Sequence, residues 1–321
     1  MRPIRITAAL VAAVALAAGC TGPAEPTQAA PSTAPAAPTT ATSAAPTSTT
    51  IPGFWYTHEG PDGTWTLETP PQRIVSLSPS STEILFAIGA GSQVIAVDEY
   101  STYPPTAPTT DLSGWDPNAE AVLSFEPDLV VIANDANEIV AALSAAAVPV
   151  YVDAAPFDIE TGYAGIIRLG AVTGRTDQAV ELIKTMRGGM AAAFAAGPST
   201  PVRLYHELDD THYSISSASF IGAVYAEFGV ENIADPADSD GWGYPQLTPE
   251  YIVDTDPEVI VITDLVGYSA DDVAARPGWG NITAVRNGNI VTVNADVASR
   301  WGPRLPQFAA AIAQALVNAA R

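Results

Sequence analysis

The chain has 321 residues, 13 basic against 35 acidic side chains, and a formal net charge of −22. That balance excludes nucleic acid and adhesion to anionic lipid by charge, but names no ligand, because exported proteins commonly carry acidic solvated surfaces. With three histidines and one cysteine, a multi-imidazole metal site is not expected and no internal disulfide can form.

In chain order, Arg2 and Arg5 form a positive start, Ile6 to Ala18 an apolar stretch, and Ala17-Ala18-Gly19-Cys20 a small-residue cleavage site. The apolar stretch is shorter than the ~20 residues of a membrane span, so residues 1–19 read as a signal peptide. The run LAAGC resembles the bacterial lipobox, although Ala17 stands where leucine is usual and the leucine is Leu16. That resemblance implies cleavage after Gly19, lipidation of Cys20 and a mature chain of about −24. Residues 20–52 are almost wholly Pro, Thr, Ala and Ser, with Glu25 as the one charge. Such a composition buries too little apolar surface to fold; it reads as a disordered tether reaching up to about 90 Å.

The rest exceeds the usual size of one core, so two lobes are expected: residues 53–157, a helical link over 158–198, and residues 199–321. In the first lobe, Arg73–Leu77 reads as a buried strand. Ser80-Ser81-Thr82-Glu83 reads as a capping box with Ser80 as N-cap and Glu83 reaching back, opening a helix that stops at Gly89 and Gly91. Val94–Val97, Leu129–Ala133 and Val148–Val152 are further strands; Ala119–Phe125 and Asn137–Ala147 are helices. In the link, Ile159–Val172 forms one helix closed by Gly174, and Thr176 opens the next. Gly188 and Gly189 interrupt that second helix, each costing about 1 kcal/mol against alanine, and mark a candidate kink. The second lobe repeats the alternation: strands at Val202–Leu208, Val259–Thr263 and Ile290–Val293, helices at Ser219–Phe228, Thr248–Thr255 and Arg304–Ala320. Short strands alternating with helices argue an α/β fold with two parallel, Rossmann-like sheets, and a cleft between lobes is where a ligand is expected.

No G-x-S-x-G, S-x-x-K, H-E-x-x-H or Walker A pattern occurs, so no catalytic residue, cofactor or resident metal is assigned. An exported hydrolase using His206 is the rival from another class. Tyr100, Tyr103, Trp115, Tyr205, Tyr213, Trp242, Tyr244, Tyr268 and Trp301 fall in loops or at strand ends. There an aromatic can stack on a large flat ligand or merely pack a loop down. Glu120 and Glu250 open helices in two near-repeats, PNAEAVLSFEPDLVVI and PQLTPEYIVDTDPEVIVI, where the helix dipole alone favours a carboxylate.

The segments RIVSLSPSSTEILFAIG, DEYSTYPP, EPDLVVI, ENIAD, YPQLTPEYI and DPEVIVIT occur in order over residues 72–321. Together they resemble the substrate-binding proteins of ABC importers for iron chelates and vitamin B12. The resemblance implies a receptor in which a long helix joins two lobes, with a ligand that is a ferric siderophore or a cobalamin-type corrinoid. By motif, Glu120 and Glu250 correspond to the glutamates that dock on the permease dimer, which works with its ATPase. The ligand-contacting positions are Tyr100, Tyr103, Trp115, Tyr244, Asp296, Arg300 and Trp301, with Glu207 at the strand end YHELDD. Haem is the alternative within the family, with Tyr205 or His206 as axial ligand. The acidic YHELDD segment disfavours anionic triscatecholates by repulsion. A monomer, lipid-anchored outside the cytoplasm, is the expected state.

Overall fold

The computed structural model describes residues 53–60 and 63–321. The expected signal peptide, Cys20 anchor and tether lie outside the described residues. A hairpin of β1 (Tyr56–Gly60) and β2 (Gly63–Leu67) comes first. The first lobe holds β3 (Ile74–Leu77), α1 (Pro79–Ala87), β4 (Val94–Asp98), β5 (Thr109–Leu112), α2 (Ala119–Leu123), β6 (Leu129–Ile132), α3 (Ile139–Ala145) and β7 (Val150–Val152). Helices α4 (Ile159–Thr173) and α5 (Thr176–Ala196) follow. The second lobe holds β8 (Arg203–His206), α6 (Phe220–Ala226), β9 (Glu231–Asn232), α7 (Pro249–Thr255), β10 (Val259–Thr263), α8 (Ala270–Ala274), α9 (Thr283–Asn287), β11 (Ile290–Val293) and α10 (Ala295–Ser299). Helix α11 (Leu305–Ala319) closes the chain.

Both central sheets are parallel, ordered β5-β4-β3-β6-β7 and β11-β10-β8-β9. Strands such as Ile74-Val75-Ser76-Leu77 and Leu129-Val130-Val131-Ile132 are buried throughout, as strands covered on both faces must be. In each sheet the strand order reverses once, beside β3 in the first and beside β8 in the second. The crevices at such reversals, beyond the carboxyl ends of the strands, are where α/β sheets bind ligands. The hairpin was not foreseen. It sets Trp65 against the sheet's edge, where its Nε1 donates to the Val150 carbonyl at 3.0 Å and protects edge strand β7.

The two lobes share one core. A single apolar cluster runs from Ile74, Leu85 and Val131 through Leu169, Met186, Met190, Phe308 and Ile312 to Leu204, Val259 and Val261. Helices α4, α5 and α11 form the spine between the sheets. The expected kink at Gly188–Gly189 is absent: α5 continues as an α-helix through both. Gly189 has a packing reason instead. A Cβ there would lie 2.8 Å from Pro306 Cβ, so glycine lets α11 approach α5 closely.

The capping box also differs from expectation. Ser78, not Ser80, is the N-cap: its Oγ accepts from Ser81 N at 3.3 Å, with Pro79 in the first turn, where a missing N–H costs nothing. Glu83 does not reach back. Its side chain, wholly buried, crosses to the segment between α10 and α11. There Arg300 Nη1 donates to it at 2.9 Å, and Arg304 Nε and Nη2 at 2.8 and 2.5 Å. Replacing Glu83 by alanine leaves the poorly solvated Arg304 guanidinium without a counter-ion and Arg300 with Asp296 alone, so a loss of about 3–5 kcal/mol is expected, read as a lower urea midpoint. A loss below about 1 kcal/mol would show that the cross-link behaves like a surface pair.

Candidate functional site

Two adjoining cavities fill the space at the reversals. The first, about 460 Å³, is walled by the ends of β8 and β10 (His206, Leu208, Thr263), by Ala155–Phe157 after β7, and by Ile215, Phe220, Trp242 and Tyr244. The second, about 570 Å³, lies over the ends of β3, β4 and β6, with Ser78–Ser80, Asp98–Tyr100, Ser113–Trp115, Asp296 and Arg300. Leu265, Ser299 and Trp301 line both, so the two form one bipartite cleft.

Large apolar side chains stand open at this cleft: Trp115 is 86% exposed, Leu265 77%, Phe157 69%, Trp242 68% and Tyr100 62%. Such a concentration marks an interaction site, since single exposed apolar residues are ordinary and clusters are not. Trp242 and Tyr244 pack edge to face with centroids 5.5 Å apart. Gly114 lets the Trp115 loop lie on the end of β3: a Cβ there would meet Leu77 O at 2.3 Å. Asp98 holds the neighbouring loop, accepting from Tyr100 N at 3.1 Å. Burial raises the Asp98 carboxyl pKa despite hydrogen bonds from Ser101.

Among the described residues, the charges lining the cleft are arranged to leave no free cation. The second cavity is lined by the carboxylates of Asp98, Glu99 and Asp296 and one guanidinium, Arg300. Arg300 is buried and fully engaged, with Glu83, Asp296 at 2.6 Å and the Tyr100 carbonyl at 2.9 Å. The first cavity carries no charged group: burial lowers the His206 pKa to about 4, with Glu207 opposing, so the imidazole is neutral at physiological pH.

The structure brings together Tyr100, Trp115, Asp296, Arg300 and Trp301, and sets Tyr244 in the adjoining cavity. Tyr103 lines neither; its ring covers the Arg304 guanidinium at 4.3 Å and shields the Glu83 cluster. Glu207 is a correction. It is wholly buried, takes Arg276 in a two-pronged pair at 2.6 and 2.7 Å, and accepts from the Tyr205 and Tyr268 hydroxyls. Burial pushes its pKa up, but Arg276 and Tyr268 more than offset this, and the group stays below the usual carboxylate range. It fixes loops behind the second sheet and has no lone pair to spare. Tyr205 is buried in the same network, which removes it as an axial ligand. His206 and His212 turn to different partners, Tyr225 and Glu207, and no metal-holding cluster occurs among the described residues. Phe157 and Leu265 escaped sequence reading, although each follows a strand's carboxyl end, the position rule that finds them.

Two parallel α/β lobes on a shared helical spine, with an aromatic cleft at both sheet reversals, define a bilobed solute-binding protein of the helix-linked, class III type. The family model described as periplasmic binding protein matches residues 74–297, and the chain belongs to that family. A cobalamin-binding protein of Halobacterium salinarum is 34% identical over 269 residues, spanning 79% of this chain and 71% of its own length. YvrC of Bacillus subtilis, described as an uncharacterized ABC transporter substrate-binding lipoprotein, is 30% identical over 266 residues, spanning 78% of this chain and 82% of its own. The periplasmic haem-binding protein RhuT of Roseiflexus superposes with a TM-score of 0.69 at 26% identity, covering 78% of this chain and 99% of RhuT.

Beneath Trp301, Asp153 is buried at the end of β7, where it accepts from Ser81 Oγ at 2.8 Å. Burial pushes its pKa up to about 6, against the lowering effects of Ser81, Arg168 and Trp301. The Trp301 N–H approaches this carboxylate without reaching hydrogen-bond geometry. The folded pKa lies above the unfolded value of about 3.9, so the folded state binds the proton more tightly. The associated stability is present below about pH 4, declines as pH rises to about 6, and stays lost above. Asp153→Asn should therefore gain roughly 2–3 kcal/mol on wild type between pH 4 and 7, read from paired urea titrations. A difference that stays constant across that window would refute the assignment.

Proposed function

We propose that this chain is the substrate-binding component of an ABC importer, lipid-anchored through Cys20 outside the cytoplasm, and that its ligand is a cobalamin-type corrinoid. The observation that carries the reading is a broad aromatic cleft with no unpaired cation. Such a wall stacks on a large ring of neutral amide periphery and offers no counter-charge to a triscatecholate or to haem propionates. The cobalamin-binding relative supports the ligand class, and the substrate-binding lipoprotein relative supports the importer role and the anchor. Haem finds less support here, because its axial candidates Tyr205 and His206 are both buried and hydrogen-bonded.

Ligand would stack between Tyr100 and Trp115 on one side and Trp242 and Tyr244 on the other, with Trp301 at the centre. Asp296 and Arg300 offer polar selection at the rim. Cyanocobalamin titrated into the full chain in detergent should quench tryptophan fluorescence with saturation. Trp301→Ala should weaken binding at least about tenfold, in line with an aromatic hot spot. Saturable quenching by a ferric hydroxamate and none by cyanocobalamin would replace the corrinoid with a siderophore.

Glu120 and Glu250 are exposed in the first turns of α2 and α7, one per lobe, behind the N-caps Asn118 and Thr248. Their carboxylates make no ion pair among the described residues, and they serve as docking charges for arginines of the permease dimer. Charges at a rim orient encounter more than they add affinity. The double variant Glu120→Arg, Glu250→Arg should abolish corrinoid uptake by cells and leave the quenching titration unchanged. An equal fall in affinity would contradict the docking role.

A further inference from the structure

Asp153 stands behind the wall of the cleft. It directly follows β7, comes just before the Ala155–Phe157 wall of the first cavity, and is buried. Its Oδ2 accepts from Ser81 Oγ on α1 at 2.8 Å. Its Oδ1 lies against α4, where a Cβ on Gly165 would be 3.3 Å away. The charged neighbours are largely committed elsewhere. Arg168, on α4, acts on Asp153 by its charge but donates from Nε to the Tyr151 hydroxyl at 3.2 Å. Glu83, on α1, turns to Arg300 and Arg304. Tyr151 and Tyr56 stay neutral, because burial raises both phenols.

Trp301 is the other half of the pair. Its ring lines both cavities, while its Nε1 is buried without a hydrogen-bond partner and faces the Asp153 carboxylate. A buried indole N–H ordinarily finds an acceptor, and leaving it unfilled is costly. An acceptor with spare lone pairs and a donor without a partner thus meet behind the ring that joins the two cavities. Burying a carboxylate is costly too. Ser81 Oγ does not require it, since Ser78 Oγ lies 2.9 Å away. What the acid adds at this place is a strong acceptor for the indole.

We propose that Asp153 is a positioning residue of the cleft: its ionised carboxylate draws in the Trp301 N–H and so holds the indole as a face on which the ligand stacks. This rests on the binding reading above. Protonation weakens the hold. The acid proton goes to Ser81 Oγ, whose own hydrogen turns to Ser78 Oγ, and the neutral acid is the poorer acceptor. The ring then leaves the stacking position part of the time, and apparent affinity falls with the fraction of molecules in which it is held. Burial sets the Asp153 pKa at about 6, so the hold is complete well above that pH and is lost as pH falls through it.

The test uses the full chain in detergent, labelled with 15N-tryptophan. The Trp301 indole resonance is identified by its loss in Trp301→Phe. In the free protein it should titrate with a midpoint of about 6. In Asp153→Asn, which keeps an oxygen at the same place but does not ionise, it should lie still. From about pH 7.5 to about pH 5, cyanocobalamin affinity should fall about three- to tenfold in wild type. Over the same range it should change less than about twofold in Asp153→Asn and in Trp301→Phe. Asp98 also lines the cleft, with a carboxyl pKa raised by burial, and these variants separate its titration from that of Asp153. An indole resonance that does not titrate, or titrates equally in Asp153→Asn, overturns the proposal. So does an affinity that is flat with pH in wild type, or that falls equally in Asp153→Asn. If cyanocobalamin fails to bind and ferrioxamine B binds, the corrinoid reading falls, and the same pH series with ferrioxamine B decides the positioning role. If neither binds, the positioning role falls with the binding reading, whatever the indole titration of the free protein shows.

Discussion

The arrangement of this molecule turns on one buried carboxylate. Glu83 sits on the first helix of the first lobe and is met by Arg300 and Arg304, more than two hundred residues later. A buried ion cluster is weak evidence for net stability, because desolvation opposes the Coulomb gain, but removing one member is costly. Its stronger consequence here is geometric. Arg300 also holds the Tyr100 carbonyl and Asp296, so the contact that ties the lobes together also fixes two parts of the cleft wall. Tyr103 covers the cluster from outside, which is a better account of that tyrosine than ligand stacking.

The shared core makes the same point from the apolar side. Opening the lobes widely would have to split a cluster that runs through α4, α5 and α11 into both sheets. Interiors are close-packed and resist continuous deformation. The cleft is therefore largely formed before ligand arrives, and binding loses little free energy to ordering. Glu120 and Glu250 stand exposed in the first turns of α2 and α7, one on each lobe of this rigid frame.

How much of this could be read from the chain divides along sequence separation. Buried strands such as Leu129–Ile132 and Val259–Thr263 declare themselves as apolar runs, and Asp158 and Thr248 declare helix starts within three residues of their partners. The Ser80 capping box failed because Ser78-Pro79 is an equally good start, and because Glu83 had a distant arginine to satisfy. Nothing local marks Glu207 as structural: its partners Tyr268 and Arg276 lie 61 and 69 residues away. The aromatic wall was half legible. Tyr100, Trp115, Tyr244 and Trp301 sit in loops beside strand ends, but Phe157 and Leu265 carry no polar tip to attract notice, and only the two sheet orders show that they converge.

Glu83 and Glu207 form a pair in a second sense. Each is an acidic residue near a sheet reversal, and each is withdrawn from the cleft by arginine. In a chain this acidic and this poor in basic residues, Arg276 and Arg304 are spent on buried carboxylates, and Arg300, at the cleft, is neutralised by Glu83 and Asp296. What remains lining the cleft is aromatic surface, three carboxylates and the paired guanidinium of Arg300. Anions meet carboxylates there and no unpaired cation among the described residues, while a large neutral ring meets aromatic faces. Selectivity in this molecule is thus set as much by where its arginines are hidden as by which aromatics are shown.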